Sequence, residues 1–458
     1  MILLLCLITI AACIAASGQQ KEQPPEGGPP KPFHLPPTQD FTLDNGMKVT
    51  LVHYGIVPRV AIRAYVNAGG INEGANQVWL SRLTGQLMKE GTKTRSAEQL
   101  AAEIADTGGQ LEIAPGIEFT TVGGVALSDH AAQFINLVAD VLQNPSLPTS
   151  QVARLKADLE RELAVAKTQP DDLARERFLG TMFPGSPYGR VFPAESDLES
   201  YSADDALAFY RSNFSAARTH LYVAGKLEGD LRETIWKAFE GWARGAEPPS
   251  VSANPVKAHS FALIDRPDAP QSTLYIGLPV AGPNSPDYIP LDVMNTLLGG
   301  SFASRITSNI REQKGYTYSP ASQISTRTHL AYWVETADVT TSVTGPSIKE
   351  ILFEIDRLRK ERPSEAELKG IQTYLAGLFV LRNTVSPDAV IGQLHFVDSQ
   401  GLSRSYLSEY VPKVMAVEPA EIQAVTDKYL LPDQMAFVIV GDKSKIADQV
   451  KVYETSTP

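Results

Sequence analysis

The chain repeats itself once, and that repeat limits the folds open to it more than any single motif. The run VAIRAYV places Val60, Ile62, Ala64 and Val66 on one face of a strand, and Leu274, Ile276, Leu278 and Val280 alternate in the same way further on. LYVAGK closes a buried strand at Gly225, and FVIVGD closes another at Gly441. The offsets agree, 276 − 62 = 214 and 441 − 225 = 216. A third pair, Leu155 with Lys156 against Leu368 with Lys369, gives 368 − 155 = 213, each behind a Pro-Thr or Pro-Ser helix start. Three concordant offsets in chain order point to an internal duplication.

Each copy reads as a strand, a helix, a pair of strands, long helices and a final strand. Leu80, Leu83 and Leu87 give one helix its apolar face, Leu291, Met294 and Leu298 give its counterpart, and Ser96 with Gln99 forms a capping-box start. Such runs predict an α+β protein of two homologous domains, each a mostly antiparallel sheet covered by helices on one face. A length of 458 residues suits two cores of about 200 residues. The expected order is a leader over 1–18, a Pro-rich segment over 19–38, a first domain over 39–244, a linker over 245–258 and a second domain over 259–452.

The net charge of −11 comes from intermixed acids and bases, which favours solubility and argues against nucleic-acid binding. Both cysteines, Cys6 and Cys13, lie in the apolar stretch MILLLCLITIAACIAASG. The body therefore has no thiol for a disulfide or a metal site. The stretch is shorter than the about 20 apolar residues of a spanning helix and reads as an export signal. Within it Ile10, Ala11, Ala12 and Cys13 resemble a bacterial lipoprotein box with Cys13 as the lipidated residue, although the first basic residue is Lys21. The competing expectation is an ordinary cleaved signal with an incidental Cys. The Pro-rich segment that follows would act as an extended tether of about 3.1 Å per residue between a membrane and the body.

The segment VWLSRLTGQLMKEGTKTRSAEQLAAEIADTGGQL resembles the N-terminal active-site helix of the pitrilysin/insulinase family of zinc peptidases. In that family a His-x-x-Glu-His run puts two metal-ligating His one turn apart and a Glu that activates the metal-bound water. By that resemblance Arg82 and Gln86 hold the ligand positions and Gly85 the base position. A guanidinium has no lone pair for a metal, an amide is a poor ligand, and Gly has no side chain. Glu162, in RELAVAKTQP, matches the family's distal zinc-ligating Glu at 162 − 86 = 76. One carboxylate does not hold zinc, and a solvated place on a charge-rich helix is the expectation for it. None of the seven His is placed to rebuild a helical pair. The expectation is that this chain binds no metal or other cofactor and cleaves nothing alone.

The second copy carries LLGGSFASRITSNIREQKGYTYSPAS, which resembles the family's C-terminal signature. There an Arg and a Tyr seven residues apart grip the substrate carbonyl and stabilise the oxyanion, and Arg311 and Tyr318 match at 318 − 311 = 7. Gly299, Gly300 and Ser301 give only a short Gly-rich turn, expected to end a helix. SPYGR, residues 186 to 190, matches another family segment, expected to be positional.

The resemblance covers roughly 40–452 and implies a division of labour. In two-subunit members of the family one chain carries the zinc motif and the other the Arg/Tyr pair. The chain is therefore expected to be the non-catalytic, substrate-binding subunit of a heterodimeric zinc metallopeptidase in the bacterial periplasm, acting on peptides or unfolded proteins. Its partner would carry an intact His-x-x-Glu-His and the zinc. The alternative is an inactive scaffold or peptide-holding protein of the same fold.

Overall fold

The computed structural model describes residues 33–249, 251, 253–328 and 330–455, together with Gly28. The leader with Cys13, most of the Pro-rich segment and His329 lie outside the described residues.

Eleven strands form two sheets. The first contains β1 (Thr38–Thr42), β2 (Lys48–His53), β3 (Arg59–Val66), β4 (Gln110–Pro115), β5 (Thr120–Leu127) and β6 (Thr219–Gly225), in the order β1-β2-β6-β3-β5-β4. The second contains β7 (Ser260–Asp265), β8 (Gln271–Val280), β9 (Ala321–Arg327), β10 (Leu330–Thr340) and β11 (Ala436–Gly441), in the order β7-β11-β8-β10-β9. Without β1 the two orders match strand for strand. In each sheet one pair is parallel, β2 with β6 and β7 with β11, and the rest are antiparallel. The duplicated, mostly antiparallel α+β architecture is as the repeat predicts.

Alternation decides which face each strand buries. Val60, Ile62, Ala64 and Val66 are fully buried beneath the first half's own helices, as are Leu274, Ile276 and Leu278 beneath those of the second, with Val280 partly buried. The apolar stripe Leu80, Leu83, Leu87 is buried in the helix Leu80–Met88. Ser96 caps the helix Ala97–Asp106 as expected, its Oγ accepting from the Gln99 N–H while Gln99 Oε1 accepts from the Ser96 N–H at 2.9 Å.

What alternation does not reveal is the cover on the other face. The helix Pro170–Met182 packs Ala174, Phe178 and Met182 against Tyr275 of β8, Tyr332 and Val334 of β10, and Val438 and Val440 of β11. The helix Pro387–Ser399 packs Val390, Ile391, Leu394 and Val397 against Ala61 of β3 and Tyr222 and Ala224 of β6. Each half thus lends one Pro-started helix to the other half's sheet, at an offset of 387 − 170 = 217 that continues the repeat. Tyr275 donates to Asp171 Oδ1 at 2.7 Å, and Arg63 Nε donates to Asp388 Oδ1 at 2.8 Å, so each helix start is tied to the opposite sheet. Burying a large apolar side chain contributes about 1.5–3 kcal/mol, so this exchange favours contact between the halves.

Candidate functional site

The helix Leu80–Met88 begins without a conventional side-chain cap. Trp79 precedes it in the left-handed region, φ 74°, a conformation a bulky residue adopts only when held there. The hold comes from Glu73, whose carboxylate accepts from the Trp79 N–H at 3.1 Å and the Ser81 N–H at 2.7 Å. Trp79 Nε1 donates to the Val191 carbonyl at 2.9 Å. Burial pushes the Glu73 carboxyl up to about 7 against the pull of these two donors. Glu73 is not legible in the sequence because a cap supplied from seven residues before the first helical residue has no local signature. An isolated acid ahead of an apolar helix is the sole hint.

One turn in, Arg82 projects from this helix and its Nη1 lies 2.5 Å from Glu162 Oε1 on the helix Thr149–Ala166. Its guanidinium also sits 4.2 Å from the centre of the Trp79 ring, a cation–π contact. The structure therefore brings Arg82 and Glu162 together across 80 residues of chain. Both remain partly exposed, so Glu162 is solvated and paired at once. Gly85 faces Pro115 at the end of β4, so closely that no side chain fits between them. Gln86, one turn beyond Arg82, has its Oε1 buried with no hydrogen-bond partner among the described residues.

These residues do not fit a metal. The single carboxylate is neutralised by a guanidinium, and the remaining positions offer an amide and a glycine. Among the described residues no group of three or more His, Cys, Asp or Glu is placed to hold an ion.

Two histidines do meet, at a cavity of about 980 Å³ between β6 and the borrowed helix Pro387–Ser399. His220 Nε2 pairs with Thr50 Oγ1 and its Nδ1 with the Tyr222 hydroxyl, each at 2.9 Å, while His395 stacks on Tyr65 at 3.6 Å. Burial pulls both imidazoles down to about 4, leaving them uncharged at neutral pH. Asp398 accepts from Tyr222 at 2.8 Å and from Arg404 at 3.1 Å, and Arg404 reaches Asp40 at 2.8 Å. This network ties the first sheet to the second half.

Arg311 lies on the helical segment Thr307–Gln313. Its guanidinium is held between two rings, 4.4 Å from the centre of Phe302 and 4.9 Å from that of Tyr318, with Glu312 Oε1 3.3 Å from its Nε. Tyr318 follows a residue pinned to β10, since Thr317 Oγ1 donates to the Asp338 carbonyl at 2.6 Å, and is itself 78% exposed. The two residues thus present a guanidinium and a phenol side by side at the surface. No hydrogen bond, ion pair or ring contact joins either to Arg82, Gln86 or Glu162 among the described residues.

The Gly-rich turn differs from a simple helix end. The helix Tyr288–Asn295 continues as a wider π turn over Thr296–Gly300 and stops at Ser301. Gly299 lies so close over β9 and β10 that a Cβ would come within 2.5 Å of Ser322 Oγ and 2.6 Å of Glu335 Oε2. In SPYGR, Tyr188 donates to Glu118 Oε1 at 2.6 Å and Arg190 Nη1 donates to the Glu73 carbonyl at 2.9 Å, linking this loop to the start of the Leu80–Met88 helix.

Known proteins resemble the chain over these same parts. The family model described as insulinase (peptidase family M16) matches residues 48–192, and that described as the peptidase M16 inactive domain matches 200–375. An uncharacterized zinc protease of Rickettsia felis is 26% identical over 341 residues, covering 73% of this chain and 81% of its own. Among solved structures, a peptidase M16 inactive domain from Pseudomonas fluorescens superposes with a TM-score of 0.81 at 20% identity, over 88% of this chain and 98% of that one. A protease from Helicobacter pylori superposes with a TM-score of 0.82 at 18% identity, over 89% and 100%. At those identities the structures speak to the fold alone.

Proposed function

Because this chain belongs to the pitrilysin/insulinase family of zinc peptidases, we propose that it is a substrate-binding subunit without hydrolytic power of its own, lending Arg311 and Tyr318 to the active site of a catalytic partner. The observation that carries the proposal is the contrast between two places. Where family enzymes hold zinc, Arg82 sits on Glu162 and Pro115 closes on Gly85. Where they hold the Arg/Tyr pair, the pair is present and its Tyr is exposed.

The chemistry asked of the pair is modest. A guanidinium and a phenol hydroxyl placed toward the oxygen of a scissile carbonyl strengthen their hold as negative charge develops there. Packing between Phe302 and Tyr318 restrains the Arg311 fork before substrate arrives, which lowers the ordering cost. The metal and the general base belong to the partner, a family member with an intact His-x-x-Glu-His. Peptides or unfolded proteins are the substrate class, and the compartment is the bacterial periplasm, reached through the apolar leader and held by lipid on Cys13. Cys13→Ser should then move the protein into the soluble fraction. A wild-type protein already soluble and cut after Cys13 would contradict the anchor.

The decisive experiment uses the complex isolated from the native host. Tyr318→Phe or Arg311→Ala should leave assembly intact by size-exclusion chromatography and slow peptide cleavage by about 100- to 1000-fold. If both variant complexes assemble and cleave at wild-type rates, the chain serves instead as an inactive scaffold or peptide-holding protein.

A further inference from the structure

Beside the start of the Leu80–Met88 helix lies a cavity of about 230 Å³, and its walls carry more positive charge than their own acids neutralise. Arg82, Arg175, Arg190 and Arg327 all line it. Two are paired: Arg82 with Glu162 and Arg175 with Asp172, each at 2.5 Å. The other two rest on neutral oxygens. Arg190 donates to the Glu73 carbonyl, while Arg327 Nη1 donates to Ser325 Oγ at 3.0 Å and the Thr326 carbonyl at 2.8 Å. Neither has a carboxylate partner among the described residues. A neutral acceptor satisfies a donor without forming an ion pair, and each guanidinium keeps further N–H groups in a planar fork.

Two acids stand near and neither forms an ion pair with Arg190 or Arg327 among the described residues: Glu118, whose Oε1 accepts from the Tyr188 hydroxyl at 2.6 Å and the Thr328 N–H at 2.9 Å, and Glu73 in the wall. Both Glu73 oxygens accept from backbone N–H groups at the helix start, so that carboxyl is spoken for and the helix terminus is closed to an incoming ion. The two unpaired guanidinium groups come from different halves, Arg190 from the SPYGR loop and Arg327 from the end of β9. Tyr332, whose ring centre is 5.9 Å from the Arg327 guanidinium carbon, supplies an apolar flank. Walls of protein rather than water strengthen the pull on an anion. A space of this size admits one side chain or a chain end, not a folded domain.

We propose that this cavity binds a peptide carboxylate, gripped by Arg190 and Arg327 across the two halves. The carboxylate can belong to an acidic side chain or to a peptide C-terminus. Binding here is a property of the single chain and stands whether or not a catalytic partner exists, so it is tested without one.

The test is calorimetric titration of the full chain with three acetylated Ala-based hexapeptides: one amidated with an internal Glu, one with an internal Gln and a free C-terminus, and one amidated with Gln and no carboxylate. At least one of the carboxylate peptides should bind about tenfold or more tightly than the neutral one, with affinity falling as salt rises, and the tighter of the two identifies the source. Arg190→Gln and Arg327→Gln should each abolish that preference, and Arg190→Lys should keep part of it because it restores charge without the fork. Circular dichroism establishes that the variants are folded. Should one variant fail to fold, the other and the wild-type comparison still decide. Equal binding of all three peptides, no binding of any at millimolar concentration, or wild-type preference in both folded variants would each overturn the proposal.

Discussion

Pro115 Cγ stands 2.5 Å from where a Cβ at Gly85 would lie, and Pro115 Cδ 3.1 Å away. The space that any side chain would need at position 85 is thus already filled by the end of β4.

Gly85→Ala should therefore destabilise the protein despite the better helix propensity of Ala. Overpacking of this kind costs about 1–3 kcal/mol. Pro115→Ala should relieve most of it, giving a double variant more stable than the two single changes predict by addition. Urea denaturation of the four proteins measures this, and strict additivity would mean the two residues do not compete for space.

Introducing zinc ligands on the Leu80–Met88 helix is expected to be easier than introducing a base at position 85. The purified chain should hold no stoichiometric zinc after dialysis. Arg82→His with Gln86→His should hold one per chain, because position 82 already lies within reach of the Glu162 carboxylate and the two imidazoles would stand one turn apart. That variant should still cleave no peptide, since position 85 supplies no base. Metal analysis and a peptidase assay check both halves of the expectation.

Glu335, wholly buried on β10, has no hydrogen-bond partner for either carboxyl oxygen among the described residues. Burial holds its pKa well above the usual value near 4.5. Unfolded chains release this proton from about that value upward while the folded protein keeps it, so the group lowers stability progressively as pH rises toward the folded pKa. Glu335→Met should raise stability by about 1–3 kcal/mol at pH 8 and by less at pH 5. Denaturant midpoints at the two pH values test it; an equal gain at both would remove the titration from the account.

Phe178 belongs to the first half by sequence but is buried against Tyr275 and Tyr332 of the second sheet. Phe178→Ala should cost about 3–5 kcal/mol and increase amide exchange in β8 and β11. Unfolding should remain a single transition. Separate transitions for the two halves would show that the exchanged helices do not couple them.

The periodic apolar positions, the Ser96/Gln99 spacing and the repeat offset of 213 to 216 residues were enough to derive two similar sheets, their helix-covered faces and the cap at Ser96, because strand alternation, helix stripes and caps depend on neighbours two to four residues apart and a duplication repeats them in order. That Arg82, Gly85 and Gln86 offer no good metal ligand or base, and that Arg311 and Tyr318 stand seven residues apart, is equally legible, since side-chain chemistry is carried by residue identity. Tertiary structure alone decided that Glu162 closes on Arg82, that Pro115 fills the room at Gly85, that Glu73 holds Trp79 and the helix start from six residues away, and that each half covers the other's sheet. All of these join groups whose separation in the chain bears no relation to their separation in space. Alternation tells a strand which face to bury but not which helix will bury it, and that choice is made by packing the whole chain at once.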